Sequence, residues 1–180
     1  MDMLTAQEQH ELLKIARDTI VEKVRTSKVT RGESALNGLQ APKGCFVTIK
    51  QHDKLRGCIG NFESDKPLYL TVQEMAIAAA TQDPRFYPMK DTDLESFELE
   101  ISVLSTLKKI NSVEEIVVGT HGLYIIKNYC RGVLLPQVAT EYGWDRETFL
   151  KHTCLKAGLP EDAWQKDCDI YIFSAQVFGE

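Results

Sequence analysis

The sequence lacks closely spaced cysteines, long apolar runs and an excess of positive charge. Its five cysteines, Cys45, Cys58, Cys130, Cys154 and Cys168, include no C-x-x-C pair, which argues against a disulfide framework and a zinc ribbon and predicts reduced thiols. No apolar stretch approaches the ~18 residues that a membrane span requires. The formal net charge of −5 argues against a broad nucleic-acid-binding surface. Small molecules or peptides are the expected partners.

Other missing patterns narrow the function further. The first residues, MDMLTAQEQHELLK, do not contain the basic region and apolar stretch of a secretory signal, so we expect a cytoplasmic protein. There is no H-x-x-x-H pair, carboxylate cluster or phosphate-binding glycine loop, which predicts neither a metal nor a cofactor. A chain of 180 residues is most simply one domain, here residues 1–180.

Local signals predict an alternation of helices and strands. Thr5 and Glu8 form a T-x-x-E capping box, and apolar residues then recur at helical spacing, which predicts a helix from Ala6 to Thr26. Residues 27–44 lack periodicity and indicate a long loop, a kind of segment that is often functional or mobile. The further predicted elements are a hairpin of Cys45 to Lys50 and Lys54 to Gly60, a helix ending near Thr81, a strand from Phe97, a hairpin of LYIIK and VLL, a helix capped by Asp145, and a closing strand from Ile170 to Phe178.

Two hairpins share the order strand, turn, Arg-Gly, strand, helix: IKQHDKLRGCIG and IKNYCRGVLL. This similarity suggests a weak internal duplication. Two β-rich halves with flanking helices predict an α+β fold, and the seam between such halves is a natural place for a pocket.

The hexapeptide LRGCIG, Leu55 to Gly60, is the strongest candidate site. Strand alternation predicts that Arg56, Cys58 and Gly60 share one face, while the intervening apolar residues face the core. A guanidinium near a thiol favours the thiolate, and a glycine beside it would let a ligand or another backbone approach. The alternative is that Cys58 is an inert buried residue and that Arg56 pairs with a structural carboxylate such as Glu100.

Five other residues are candidates for the same site. Asp83 and Arg85 follow a predicted helix, where they could line a pocket or form an ordinary Asp-Pro turn with a surface ion pair. Glu100 could orient Arg56 or act as a base, or simply lie on a solvated strand face. His121 could be a general base or make a structural hydrogen bond in a turn. Gln137 begins a helix, where it could help to bind an anion or only cap the helix.

Several motifs in order resemble the AMMECR domain family, whose microbial members are called AmmeMemoRadiSam system protein A. They are LRGCIG, AIAAATQDPRF, ELEISVL, GTHGL, GVLLPQVATEYGW, FL..TC.KAGL and the following Trp164, so the resemblance covers about residues 8–178. The resemblance implies a compact α+β fold of two unequal subdomains with LRGCIG as the signature. It also implies association with a Memo-type protein and a radical SAM protein, but no reaction.

Three hypotheses follow. The first is a binding or auxiliary subunit that holds a small molecule or peptide with Arg56, Gly57, Gly60, Asp83, Arg85 and Gln137. The alternative is a thiol-dependent enzyme in which Cys58 supplies the nucleophile, Arg56 binds an anion or tunes the thiol, and His121, Glu100 or Asp83 moves a proton. In the third, LRGCIG is only a folding element.

Overall fold

The computed structural model describes residues 3–180, which fold as two compact units. The first unit comprises the chain up to Leu104 together with Gln176–Glu180, and the second comprises Ser105–Ala175. Within the described residues there are four α-helices and two four-stranded sheets, so the α+β prediction is confirmed. The helices are α1 (Ala6–Thr26), α2 (Leu68–Thr81), α3 (Pro136–Glu141) and α4 (Arg146–Lys156). The strands are β1 (Cys45–Gln51), β2 (Lys54–Asn61), β3 (Phe97–Leu104), β4 (Lys108–Lys109), β5 (Gly122–Lys127), β6 (Cys130–Leu134), β7 (Asp169–Phe173) and β8 (Ala175–Gly179).

Helix α1 has the predicted bounds because its start is encoded locally. Thr5 Oγ1 accepts from the Glu8 N–H, and the Glu8 carboxylate accepts from the Thr5 N–H at 2.8 Å, which completes the capping box. Leu12, Ala16 and Ile20 are buried at helical spacing in the core of the first unit.

The first unit contains a sheet with the order β2-β1-β3-β8 and two helices, α1 and α2. Strand β1 pairs antiparallel with both β2 and β3, and alternate residues of β1 and β3 enter the core. The small residues Ala76, Ala79 and Ala80 of α2 are buried in that core, which lets the helix approach the sheet closely. Strand β2 lies at one edge of the sheet, so its outer backbone groups need other partners.

The loop 27–44 is held by polar side chains of both helices. The buried side chain of Gln73 donates to the carbonyl of Thr30 at 2.8 Å and to Thr19 Oγ1 at 3.0 Å, and it accepts from the N–H of Gly32 at 2.9 Å. The carboxylate of Glu8 accepts from the Gly38 N–H at 3.0 Å. These bonds satisfy backbone groups that a loop otherwise leaves unpaired, and they anchor it to the first unit.

The second unit contains a sheet with the order β4-β7-β5-β6, and α3 and α4. Its core includes Leu123 and Ile125 of β5 and Phe149, Leu150 and Cys154 of α4. Asp145 caps α4 by accepting from the Thr148 N–H at 2.8 Å, as the sequence predicts.

The predicted closing strand from Ile170 to Phe178 is wrong in one respect. The segment is two strands separated by Ser174: β7 belongs to the second sheet and β8 to the first. The N–H of Ser174 donates to Ser105 Oγ at 2.9 Å, and its carbonyl accepts from the Ser105 N–H at 2.9 Å. These two bonds fix the point at which the chain leaves one sheet for the other, and they involve a residue 69 positions away that local patterns cannot reveal.

Candidate functional site

A β-bulge shapes the hairpin that carries LRGCIG. The turn consists of His52 and Asp53, both with positive φ, and it pairs Lys50 with Leu55. The register then shifts, so that Ile49 pairs with Gly57 and Arg56 has no partner in the ladder. The bulge places Leu55 in register on the face of Cys58, where its side chain is 42% exposed. The prediction that Leu55 faces the core is therefore wrong, because the bulge interrupts the alternation.

The face that carries Cys58 is polar and extends across three strands. Thr48 is the register partner of Cys58 on one side and of Glu100 on the other, so the three residues form a row. The Thr48 hydroxyl donates to the sulfur of Cys58 at 3.2 Å, and Lys50 Nζ forms an ion pair with Glu100 at 2.9 Å. We call Thr48, Lys50, Cys58 and Glu100 the Cys58 face. It presents a half-buried thiol, a hydroxyl, a carboxylate and an ammonium group together.

The side chain of Arg56 contacts different residues from those that contact Cys58. Its Nη2 donates to Asp93 Oδ2 at 3.2 Å, and its guanidinium lies 6.0 Å from the centre of the Phe86 ring. The side chain is only 16% exposed, and within residues 3–180 its Nη1 is buried without a hydrogen-bond partner. Arg56 therefore pairs with a carboxylate, as the alternative interpretation proposed, but that carboxylate belongs to Asp93 and not to Glu100.

Asp83 and Arg85 bind the backbone of Cys58 at the free edge of β2. Asp83 Oδ2 accepts from the Cys58 N–H at 2.9 Å, and Arg85 Nη2 reaches the Cys58 carbonyl at 3.5 Å. The side-chain hydrogen bond from Arg85 lowers the pKa of Asp83 well below its usual range, although the burial of this carboxyl acts in the opposite direction. The same bond raises the pKa of Arg85, so the pair stays ionised at neutral pH. These two residues take the place of a neighbouring strand.

The two glycines of the motif have close neighbours of different kinds. A Cβ at Gly57 would lie 2.2 Å from the carbonyl oxygen of Ala79, so this glycine allows α2 to pack directly on β2. A Cβ at Gly60 would lie 2.4 Å from both the Cys45 carbonyl oxygen and the ring of Phe46. Of the two approaches expected at Gly60, the structure has that of another backbone, namely Cys45, and the space that a ligand would need is filled by the protein itself.

His121 and Gln137 belong to the second unit, whereas the other predicted site residues belong to the first. His121 Nδ1 accepts from the Val117 N–H at 3.1 Å, and the His121 N–H donates to the Val117 carbonyl at 2.9 Å. Both bonds close a turn, which is the structural role that the sequence left open for this histidine. Gln137 lies in α3, a helix of six residues, and its carbonyl accepts from Thr140 Oγ1 at 2.8 Å.

Sequence reasoning missed the residues that surround Cys58 and Arg56. The sequence places Phe46, Thr48 and Lys50 in a strand but assigns them no part in the site, and it gives Asp93 no role. The alternation of β1 places Phe46, Thr48 and Lys50 on the face opposite the buried residues Cys45, Val47 and Ile49, which is a readable signal. No comparable signal connects Asp93 with Arg56, because the two are 37 residues apart.

Three other cysteines have thiols that burial makes less acidic. Burial raises the pKa of the Cys45 thiol to about 12, and burial also raises the pKa values of Cys154 and Cys168. No group of three or more His, Cys, Asp or Glu side chains in residues 3–180 has an arrangement that could hold a metal ion. No helix in the described part of the chain is long and apolar enough to cross a membrane.

Comparison with known proteins gives a consistent assignment. Residues 13–178 match the AMMECR1 family. Protein MK0488 of Methanopyrus kandleri is 44% identical, with 99% of this chain and 91% of that protein aligned, and protein MJ0810 of Methanocaldococcus jannaschii is 42% identical, with 100% and 94% aligned. The crystal structure of the uncharacterized protein PH0010 from Pyrococcus horikoshii is similar with a TM-score of 0.86 at 38% identity, covering 94% of this chain and 90% of that one. The chain belongs to the AMMECR1 family.

Proposed function

We propose that this protein is a cytoplasmic binding or auxiliary subunit whose ligand site is the Cys58 face. The observation that carries the proposal is the row of Cys58, Thr48 and Glu100, with Lys50 paired to Glu100. These side chains hold one another in place on the face opposite the core, so a ligand would meet an ordered surface with both charge signs. Pre-ordered polar groups are typical of sites that bind and orient a ligand.

A binding role is favoured over catalysis because the surroundings of the thiol are incomplete. Among the described residues, Thr48 makes the one side-chain hydrogen bond to the sulfur of Cys58, and a hydroxyl is not a general base. Glu100 is engaged by Lys50. The ligand would be a small molecule or a peptide, and the resemblance to the AmmeMemoRadiSam proteins suggests Memo-like and radical SAM proteins as the partners to which it is delivered.

The test is direct binding to those two proteins from the same organism. We expect calorimetry with the purified chains to give a complex with a dissociation constant in the micromolar range or below. Replacing both Lys50 and Glu100 by Ala should weaken it by about tenfold or more, whereas Cys58→Ser should change it little. Lys14→Ala with Asp18→Ala, which removes an exposed ion pair on α1, is the matched control. The absence of a complex at tens of micromolar, on the order of the weakest useful affinity, would overturn the partnership.

A thiol-dependent enzyme is the second candidate, and one contact favours it. The Thr48 hydroxyl donates to the Cys58 sulfur at 3.2 Å and so holds the thiol in one orientation. The rate of iodoacetamide alkylation, followed against pH and localised by mass spectrometry, measures the nucleophilicity of that thiol. Cys130 is also half-buried and serves as the reference thiol in the same chain. If Cys58 reacts no faster than Cys130 at any pH, this candidate fails.

A further inference from the structure

Arg85 presents one side of its guanidinium to the protein and the other to solvent. Its Nε donates to Asp83 Oδ1 at 3.0 Å, and its Nη2 donates to Asp83 Oδ2 at 2.7 Å. The hydrogen bonds that the Arg85 side chain makes within residues 3–180 come from Nε and Nη2 and not from Nη1, and the side chain is 56% exposed. The two N–H groups of Nη1 are therefore available to a ligand.

Both carboxylate oxygens of Asp83 are already used in hydrogen bonds within the protein, so Asp83 does not contact a ligand directly. Each carboxylate oxygen accepts two hydrogen bonds: Oδ1 from the backbone N–H and Nε of Arg85, and Oδ2 from Arg85 Nη2 and the Cys58 N–H. Its side chain is 2% exposed. A buried carboxylate with all its contacts satisfied fixes the plane of the guanidinium, which reduces the entropy that Arg85 would lose on binding.

The free side of Arg85 lies close to the residue that carries the thiol. Arg85 Nη2 reaches the Cys58 carbonyl, and the same Asp83 oxygen bonds both residues. An anion bound at Nη1 would therefore sit near the edge of the Cys58 face.

We propose that Arg85 Nη1 binds an oxyanion group of the ligand, a carboxylate or a phosphate, beside Cys58, and that Asp83 is the positioning residue for this contact. This inference rests on the proposed function because it uses the same site, and it adds the chemical class of the ligand. Guanidinium N–H groups match the oxygen geometry of both anions. The ligand thus has a negatively charged group that binds at the edge of β2, and the rest of the ligand contacts Lys50 and Glu100.

Two alkylating reagents test the site without knowledge of the ligand. Iodoacetate carries a carboxylate and iodoacetamide does not, yet both react in the same way: the thiolate sulfur bonds to the CH₂ carbon, the C–I bond breaks and iodide leaves, so that a carboxymethyl or a carbamidomethyl group is attached to the sulfur. We expect the iodoacetate-to-iodoacetamide rate ratio at Cys58 to exceed the ratio at Cys130 by about fivefold, because a local cation concentrates the anionic reagent. Arg85→Gln should make the rate ratios at Cys58 and Cys130 about equal, and Arg85→Lys should retain part of the difference between them. Arg25→Gln, which removes an equal charge from an Arg–Asp pair whose two side chains are both exposed, is the control.

Inorganic phosphate distinguishes the two anions. If the site accepts phosphate, the excess should fall as phosphate is added at constant ionic strength; if phosphate leaves it unchanged, the carboxylate is assigned. Equal ratios at Cys58 and Cys130, or an excess that survives Arg85→Gln in a folded variant, would overturn the proposal.

Nuclear magnetic resonance covers the case in which neither reagent alkylates Cys58. The side-chain Nε–H signal of Arg85, assigned through Arg85→Lys, should then shift saturably with added acetate or phosphate, and an unchanged signal with both overturns the proposal. These outcomes are independent of partner binding: a missing complex with intact anion selectivity refutes the proposed function alone, and a normal complex without selectivity refutes this inference alone.

Discussion

The two Arg-Gly hairpins of this chain use the same dipeptide in different surroundings. In the first unit, Gly57 pairs with Ile49 and packs under α2; in the second unit, Gly132 pairs with Ile125 and packs under α4. A Cβ at Gly57 would lie 2.2 Å from the Ala79 carbonyl oxygen, and a Cβ at Gly132 would lie 2.5 Å from the Ala157 nitrogen. The glycine thus has the same role in both hairpins: it has no side chain, so a helix can pack closely against the strand.

The hairpins differ in what surrounds that glycine. The first hairpin contains a bulge at Arg56, and its edge is bound by Asp83 and Arg85; the second keeps a continuous register from Leu123 to Lys127, and Arg131 is exposed. The Arg-Gly dipeptide is therefore a packing element. The candidate chemistry of LRGCIG comes from the bulge and from the loop that returns to its edge.

The largest predicted effect tests the shared role of the glycines. Gly57→Ala and Gly132→Ala should each lower the free energy of unfolding by about 3 kcal/mol, because the new methyl group meets helix backbone that cannot rotate away. Urea denaturation followed by circular dichroism measures both. Gly158→Ala is the control: it has positive φ but no atom within 4 Å, so it should cost only about 1 kcal/mol of backbone strain. A cost at Gly57 or Gly132 no greater than at Gly158 would contradict the packing argument.

Much of the fold was predictable because its signals are local. The capping box at Thr5 and Glu8 defined the start of α1, and Asp145 defined the start of α4. The alternation in β3 gave its buried face, and apolar strands flanking short polar turns located both hairpins. Each of these signals lies within about one helical turn or one strand, which is the range that propensity and capping can encode.

The geometry of the candidate site was less predictable because it depends on pairing. With a two-residue turn and no bulge, Ile49 would oppose Arg56; matching the apolar residues of β1 with Gly57 and Ile59 requires one extra residue in β2. The mismatch is readable in the sequence, but the position of the bulge is not. The pairing of Arg56 with Asp93 also joins segments far apart in sequence, which no local pattern encodes.

The second prediction compares two Asp–cation pairs, one in which the Asp is buried and one in which both side chains are about half exposed. Asp83→Asn should cost about 2 to 3 kcal/mol at pH 7, because it removes charged hydrogen bonds to Arg85 and the Cys58 N–H. Asp169→Asn should cost less than about 1 kcal/mol, since Asp169 and Lys109 are about half exposed. Urea denaturation at pH 7 checks both values, and equal costs would show that the edge contact contributes no more than a surface pair.

The pH dependence of the same variant has a defined sign. The pKa of Asp83 is lower in the folded protein than in the unfolded chain, so the unfolded chain takes up the proton first as the pH falls. The stability that ionised Asp83 contributes is therefore complete above about pH 5, and it is lost as the pH falls below about 4 towards the folded-state pKa. The difference between the unaltered protein and Asp83→Asn should shrink in that window. A difference that stays constant or grows on acidification would contradict this assignment.

The third prediction compares the two arginines of the repeated dipeptide. Arg56→Met should cost about 1 kcal/mol: it loses the ion pair with Asp93, but it also removes the buried Nη1 that has no partner among residues 3–180. Arg131→Met should change stability by less than about 0.5 kcal/mol, because Arg131 is exposed. Thermal unfolding of both variants under one buffer condition separates the two expectations. A larger loss at Arg131 would mean that the second hairpin has its own polar anchor.

The last prediction compares the two hairpin turns. His52 and Asp53 both have positive φ, at 51° and 61°, whereas in the second turn Asn128 has φ of 54° and its neighbour Tyr129 is not among the residues with positive φ. Left-handed backbone is costly for most residues but tolerated by Asn, and a turn with two such residues favours Asn-Gly. His52→Asn with Asp53→Gly should therefore raise the free energy of unfolding by about 1 kcal/mol, and Asn128→Gly should change it by only about 0.3 kcal/mol in either direction.

The two variants lie outside the contacts that Cys58, Asp83 and Arg85 make, so the iodoacetamide rate at Cys58 should stay the same in both. If the rate at Cys58 changes with the first variant, the bulge at Arg56 is set by the turn rather than by the pairing of Gly57 and Ile59 with the apolar residues of β1.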